Sequence, residues 1–179
     1  MGGKAFGGKR VTREEAAALY TQIRDDLGYS RDAGDVRNAL GAGVGHYSTL
    51  CGSYRRGLPT CGDLDIVIVL SEGLSEKFDE WCLAKLGAQK SGKSARKGLI
   101  DGVQVEFYVA SPANFGTQIQ MWTGSHLENI RLRRAAKHMG YSLSQYGFKN
   151  KETGELVTCA TEFEVYDFLG LEYKPPEER

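Results

Sequence analysis

The chain has no excess of charge of either sign: 23 Lys and Arg residues are balanced by 23 Asp and Glu. That balance argues against tight, non-specific attraction to a polyanion. No apolar stretch is long enough to span a membrane and no signal peptide opens the chain, so an intracellular protein without a membrane role is expected. The four cysteines, Cys51, Cys61, Cys82 and Cys159, lack the paired spacing of a zinc site. Cys51 and Cys61 flank one short turn, which leaves a disulfide open; reduced thiols are the simpler expectation inside a cell. What is present is ordinary for a globular chain, with 41% hydrophobic and 26% charged residues over 179 positions. That suffices for one good core or two small subdomains. The basic residues are unevenly spread. Lys90, Lys93, Arg96 and Lys97 crowd residues 90–97, and Arg131, Arg133, Arg134, Lys137 and His138 crowd 131–138, with no acid in either window.

The most informative stretch is 52–65. Gly52 and Ser53 are followed by Arg55 and Arg56, then by Gly62-Asp63-Leu64-Asp65 and the apolar run Ile66 to Leu70. That run is short, so it reads as a buried strand, and strand alternation points Asp63 and Asp65 the same way. Adjacent carboxylates repel and raise each other's pKa. A hard cation such as Mg²⁺ removes that penalty, and it commonly combines one or two carboxylates with substrate phosphates. Gly52 permits close backbone approach, Ser53 offers a hydroxyl, and the arginines carry phosphate-matched forks. These are the parts of a nucleoside-triphosphate site. The plainer reading is a solvated acidic turn with surface arginines.

The same residues closely resemble the palm motif of family X DNA polymerases of the polymerase beta type, within the nucleotidyltransferase superfamily. The resemblance implies that Asp63 and Asp65 hold two Mg²⁺ ions, with Mn²⁺ able to substitute. Gly52, Ser53, Arg56, Gly62 and Arg10 would bind the triphosphate, Arg10 because it opens an Arg-x-x-Arg-Glu-Glu stretch. A third carboxylate is normally an aspartate on the neighbouring strand. Here that position is Glu106, in Val103-Gln104-Val105-Glu106, and its extra methylene sets the carboxylate about 1 Å or more further out, a displacement that can cost ~100-fold in rate.

A second motif, Met121-Trp122-Thr123-Gly124-Ser125 with Asn129 and Arg133, resembles the family's nucleotide-binding segment. It implies that Met121, Trp122, Thr123, Gly124 and Asn129 face the sugar and base and that Arg133 reaches the template. Met121 stands where an aromatic residue is usual, which implies weak sugar discrimination. Lys93, Arg96 and Lys97, with Arg131 and Arg134, would contact DNA phosphates.

Local signals predict an α/β (α+β) chain. Thr12 and Glu15 form a capping box before a helix whose apolar face is Ala16, Leu19, Tyr20, Ile23 and Leu27, ended by Gly28. A Gly-rich loop with a short helix around 35–40 leads to a strand at 47–51. A helix over 76–86 and a basic loop over 89–97 follow. Asp101-Gly102 predicts a hairpin. The strand over 103–109 puts Val103, Val105, Phe107 and Val109 on one face and Gln104, Glu106 and Tyr108 on the other. A helix is expected over 112–121, then one capped by a Ser125/Glu128 box with Leu132, Ala135, Ala136 and Met139 inside. A small hairpin and a Thr161-capped helix close the chain.

The expected organisation is a flexible lead-in (1–9), a palm (10–111) with a small mixed sheet and helices on one side, and a mostly helical thumb (112–179). No lyase or helix-hairpin-helix domain is apparent. The chain resembles the minimal, virus-encoded members, or a piece cut to the catalytic core. The expected activity is addition of dNMP from dNTP to a primer 3′-OH by a monomer acting on primer-template or gapped DNA, as in short-gap repair. Alternatives are a template-independent terminal transferase with relaxed sugar selection and a DNA-binding module with a decayed site.

Overall fold

The computed structural model describes residues 8–27, 47–70, 72–87, 89–91 and 94–179. The lead-in up to residue 7, the Gly-rich loop with its short helix, Gly28 and Lys93 lie outside the described residues.

Strands β1 (Val11–Thr12) and β3 (Thr60–Cys61) form a short antiparallel pair, and the central sheet runs in the order β2 (Tyr47–Leu50), β4 (Asp63–Val69), β7 (Val103–Ala110), β6 (Ala95–Ile100), β5 (Gln89–Ser91). Only β4 and β7 pair in parallel, with Asp63 opposite Gln104 and Asp65 opposite Glu106. The crossover between them carries helix α3 (Ser75–Leu86), and β6 returns to β7 through a tight turn. In that turn Asp101 and Gly102 have φ of 50° and 80°, the paired positive angles of the hairpin type expected from Asp-Gly.

Strand alternation divides the sheet. Leu64, Ile66, Ile68, Val103, Val105 and Phe107 face helix α3 and helix α1 (Arg13–Asp26), forming one core with Ala16, Tyr20, Ile23 and Phe78. Helix α1 begins at the expected capping box, with Thr12 and Glu15 satisfying each other's backbone N–H groups. Part of the other face is covered as well, by a helix from beyond the expected palm boundary. Val67, Val69, Tyr108 and Ala110 make an apolar strip there, covered by Phe115 and Ile119 of helix α4 (Phe115–Thr123). The sheet is therefore sandwiched at its α4 end, and Asp63 and Asp65 stand beyond the covered strip.

Other expectations shift in detail. Much of the basic loop at 89–97 is strand, because β6 continues its pairing with β7 up to Ala95 opposite Tyr108. The helix expected from Pro112 starts as a 3-10 turn, Pro112–Asn114, and becomes α-helical at Phe115. On helix α5 (His126–His138), Ser125 accepts from Glu128 N, but the Glu128 carboxylate goes to Arg131 and Tyr166, so the box is half made. Met139, expected inside, is exposed.

Helix α5 packs Leu132 and Ala136 onto Leu143 and Phe148 of a three-stranded sheet, and onto Val165, Tyr166 and Leu169 of helix α6 (Glu162–Phe168) or its C-cap. That sheet contains β8 (Tyr141–Ser144), β9 (Gly147–Asn150) and β10 (Leu156–Val157). All four cysteines are buried free thiols, so the disulfide left open by the spacing is not formed. Among the described residues no helix is long and apolar enough to cross a membrane.

Candidate active site

Three carboxylates lie in one region at the Asp63 end of the β4–β7 pair. Asp63 and Asp65 are two positions apart on one strand and share a face, and Glu106 is the register partner of Asp65 on the next. Burial pushes the Asp63 carboxyl above its ordinary range, and the charge of Glu106 adds to this. Asp65 is pushed up to about 7, first by burial, then by the charges of Asp63 and Glu106; Lys97 and a hydrogen bond from Tyr108 pull the other way. Burial and mutual repulsion thus both disfavour the charged form of the pair.

The two aspartates fit a hard divalent cation, being acceptor-only oxygen donors on one face with mutual repulsion to relieve. Glu106 is engaged differently. It is buried, accepts from Gln104 Nε2 at 2.6 Å on one oxygen, and accepts from Lys97 Nζ and Tyr108 OH on the other. Among the described residues, no group of three or more His, Cys, Asp and Glu side chains is gathered to hold a metal. Glu106 is nonetheless not a solvated strand glutamate, being buried among three donors.

The segment expected as a Gly-Ser turn is a single helical turn, α2 (Gly52–Arg55), delivered by β2. The Cys51 N–H donates to the Asp65 carbonyl at 2.7 Å, pinning this turn to β4. Gly52 has φ of 58°, and a Cβ there would collide with Asp65 Oδ2. Only glycine meets both demands. Ser53 Oγ is buried and has no hydrogen-bond partner among the described residues. A buried hydroxyl without a partner is costly, and an incoming acceptor oxygen would satisfy it.

Arg10 donates from Nη2 to Thr60 Oγ1 at 3.0 Å and to Thr60 O at 3.3 Å, and its guanidinium lies against Gly62. Those two expected triphosphate residues are therefore together, beside Asp63. Arg56 donates to the Thr123 carbonyl and lies close to Gly124, linking α2 to the second motif. Arg55 turns inward, to Thr123 Oγ1 at 2.9 Å and to Glu162 at 2.6 Å.

In the second motif, Met121 and Trp122 are half-buried at the end of α4. Trp122 stacks on Tyr108, with ring centroids 3.5 Å apart and planes 11° apart, and its indole N–H donates to Gln118. Asn129 donates to Met121 O and accepts from Gln120, so its amide holds the turn around Thr123 and Gly124.

The basic residues divide in a way that composition did not foretell. Arg133 and Arg134 are exposed on α5, and His126 faces solvent at its start. Arg131 lies along Glu128 with two bonds of 2.9 and 2.7 Å. Arg96, expected on DNA, is buried and paired with Asp79 at 2.8 Å. Strand alternation explains this: Arg96 shares the helix-covered face with its register partner Phe107. Lys97 emerges on the opposite face, where its register partner is Glu106. A DNA contact for Arg96 does not fit this geometry, and Lys97 is first a partner of the third carboxylate. Tyr108, Gln104 and Glu162 were not singled out as site residues, although the alternation had set Gln104 and Tyr108 beside Glu106.

Comparison with known proteins gives a consistent result. The family model described as DNA polymerase beta palm matches residues 10–126, and that described as DNA polymerase beta thumb matches residues 118–179. Most of α4 lies in the overlap. The DNA polymerase/3′-5′ exonuclease PolX of Bacillus subtilis is 31% identical over 132 residues, covering 72% of this chain and 23% of that relative. DNA polymerase lambda of Rattus norvegicus is 26% identical over 200 residues, covering 95% of this chain and 33% of the relative. The DNA-directed DNA/RNA polymerase mu of Homo sapiens is 33% identical over 104 residues, covering 55% and 21%. The chain spans about a quarter to a third of the length of the first two relatives.

Proposed function

This chain belongs to the family X DNA polymerases of the polymerase beta type, and on that footing we propose that it adds a dNMP from dNTP to the 3′-OH of a primer, filling short gaps in DNA repair. The reading treats residues 10–111 as palm and 112–179 as thumb. The observation that carries it is the packing of Gly52 against Asp65, which brings α2, with a Ser53 hydroxyl that is buried and lacks a hydrogen-bond partner among the described residues, up to the strand that carries two mutually repelling carboxylates.

Asp63 and Asp65 are the residues that would hold Mg²⁺ or Mn²⁺, and Glu106 would join them. When bound there, such ions would supply Lewis acidity toward the 3′-OH and charge neutralisation for the pyrophosphate. Ser53 and the glycine backbone at 52 accept close approach by the β- and γ-phosphate oxygens. Arg10, beside Gly62, and Arg56, beside Gly124, bring guanidinium charge to the two sides of that approach. Trp122, Thr123 and Gly124 form the floor for sugar and base, with Asn129 fixing the turn. Arg133 and Arg134, exposed on α5, face the nucleic acid strand, whose phosphates position without specifying.

The test is extension of a labelled primer on a one-nucleotide gap, on an open template and as a bare single strand, with dNTP or rNTP and Mg²⁺. Template-directed insertion at the gap is expected. Addition to the bare strand without template instruction would replace the repair polymerase with a terminal transferase. Absence of incorporation in every lane, with retained DNA binding, would leave a binding module. The rNTP lanes report the effect of Met121.

A further inference from the structure

The chain carries glutamate where the palm resemblance leads to aspartate, and the longer side chain has one more torsion to fix. Three donors surround Glu106: Gln104 on one oxygen, Lys97 and Tyr108 on the other. Tyr108 differs from the other two in being fixed itself. Its ring is buried and stacks at 3.5 Å on Trp122, and its hydroxyl also lies 3.4 Å from Asp65 Oδ1. A phenol has few rotamers, and a buried stacked ring has fewer. The hydroxyl therefore sits at a set point between two carboxylates on neighbouring strands.

We propose that Tyr108 is a positioning residue for the third carboxylate, its hydroxyl holding the Glu106 side chain in one rotamer beside Asp65 while Trp122 holds the ring. The proposal rests on the nucleotidyl-transfer reading above. It makes the glutamate a working third carboxylate: the reach added by the methylene is braced by a hydroxyl two residues along the same strand. It also gives Trp122 a second task. A change in the seat of that indole is passed to the carboxylates through one ring and one hydrogen bond.

The test is Tyr108→Phe, which removes one oxygen and keeps the stack, compared with wild type in the Glu106 and Glu106→Gln backgrounds. Mn²⁺ is titrated against each protein without nucleic acid, the free ion being followed by its paramagnetic resonance signal; gap-filling kcat and KM for dNTP are measured in parallel. Tyr108→Phe should weaken Mn²⁺ binding, and lower kcat, by about 10- to 100-fold in the Glu106 background. KM for dNTP should hold, and the substitution should have no further effect once Glu106 is Gln. Trp122→Phe should lie between wild type and Tyr108→Phe. Equal Mn²⁺ affinity in wild type and Tyr108→Phe would overturn the proposal, as would an equal loss in both backgrounds, the mark of a packing role. Should no protein extend a primer while Tyr108→Phe still weakens Mn²⁺ binding only with Glu106 present, the positioning stands and the polymerase reading falls.

Discussion

Arg55 and Glu162 lie 107 positions apart in the chain and are joined by an ion pair of 2.6 Å, with Glu162 only 1% exposed. The second Glu162 oxygen accepts from Arg179 at 2.8 Å, and Tyr173 OH lies 3.4 Å from the first. Burial alone would raise the Glu162 pKa, but the Arg55 and Arg179 guanidiniums outweigh it and hold the carboxyl below its ordinary range. This pair ties α2, which carries Ser53 and Arg56, to α6.

Replacing Glu162 by Gln leaves two buried guanidiniums without a counter-charge and is expected to cost about 3–5 kcal/mol, measured by urea unfolding at pH 7. A depressed folded-state pKa stabilises above the unfolded value, about 4.3, and the contribution is lost as pH falls through the folded value. The gap between wild type and Glu162→Gln should be constant from neutral pH down to about pH 5 and close below about pH 4. A gap unchanged at low pH would show that the carboxylate charge is not what holds the two helices.

Asp65 carries the opposite sign. Its folded pKa of about 7 lies above the unfolded one, so the folded state binds more protons between them. Its contribution is most favourable below the unfolded value and is lost as pH rises through about 7. Asp65→Asn is therefore expected to raise Tm at pH 8, with the advantage shrinking toward pH 4, while primer extension is abolished. An Asp65→Asn protein that melts below wild type at pH 8 without added metal would contradict the electrostatic account.

Gly52→Ala tests the close approach of α2 to β4. A non-glycine residue at positive φ costs about 1–2 kcal/mol, and the new methyl group would push on the Asp65 carboxylate as well. Lower stability together with loss of extension is expected. Full extension by Gly52→Ala would mean that the turn and Asp65 do not act together.

Arg96 and Arg134 separate fold from interface. Arg96→Ala should lower stability, because Asp79 loses its buried guanidinium, and should leave the salt dependence of DNA binding unchanged. Arg134→Ala should leave stability unchanged and lower the salt slope of binding by about 1. Reversal of the two results would move the interface from α5 to the β5–β6 hairpin.

Much of the fold was legible in local pattern. Thr12 with Glu15, Asp101 with Gly102, and Thr161 with Glu164 announce their caps and turn because each is settled within four residues. The alternation in Val103 to Val109 correctly set Glu106 and Tyr108 on one face, because the period of a strand is a local property. What local pattern could not supply was which strand lies beside which, and in what register; only the family resemblance had set Glu106 on a strand beside Asp63 and Asp65. Lys97 looked like a surface cation until the β6–β7 register set it opposite Glu106, and Arg96, its neighbour in sequence, was turned into the core by the same pairing.

The sequence by itself determined the family, most of the described elements and the placing of Asp63 with Asp65 on one face, since each depends on residue types at short, fixed spacings. Only the tertiary structure decided that Glu106 is held by Tyr108, Lys97 and Gln104, that Trp122 rests on Tyr108, and that Arg55 is an internal counter-ion while Arg56 faces the second motif. The contacts of Arg55, Arg56 and Trp122 join different elements and that of Lys97 joins paired strands, while Gln104 and Tyr108 lie only two positions from Glu106, where alternation fixes the shared face but not the bond. The partners are chosen by strand register and by what burial leaves unsatisfied, neither of which a local pattern contains.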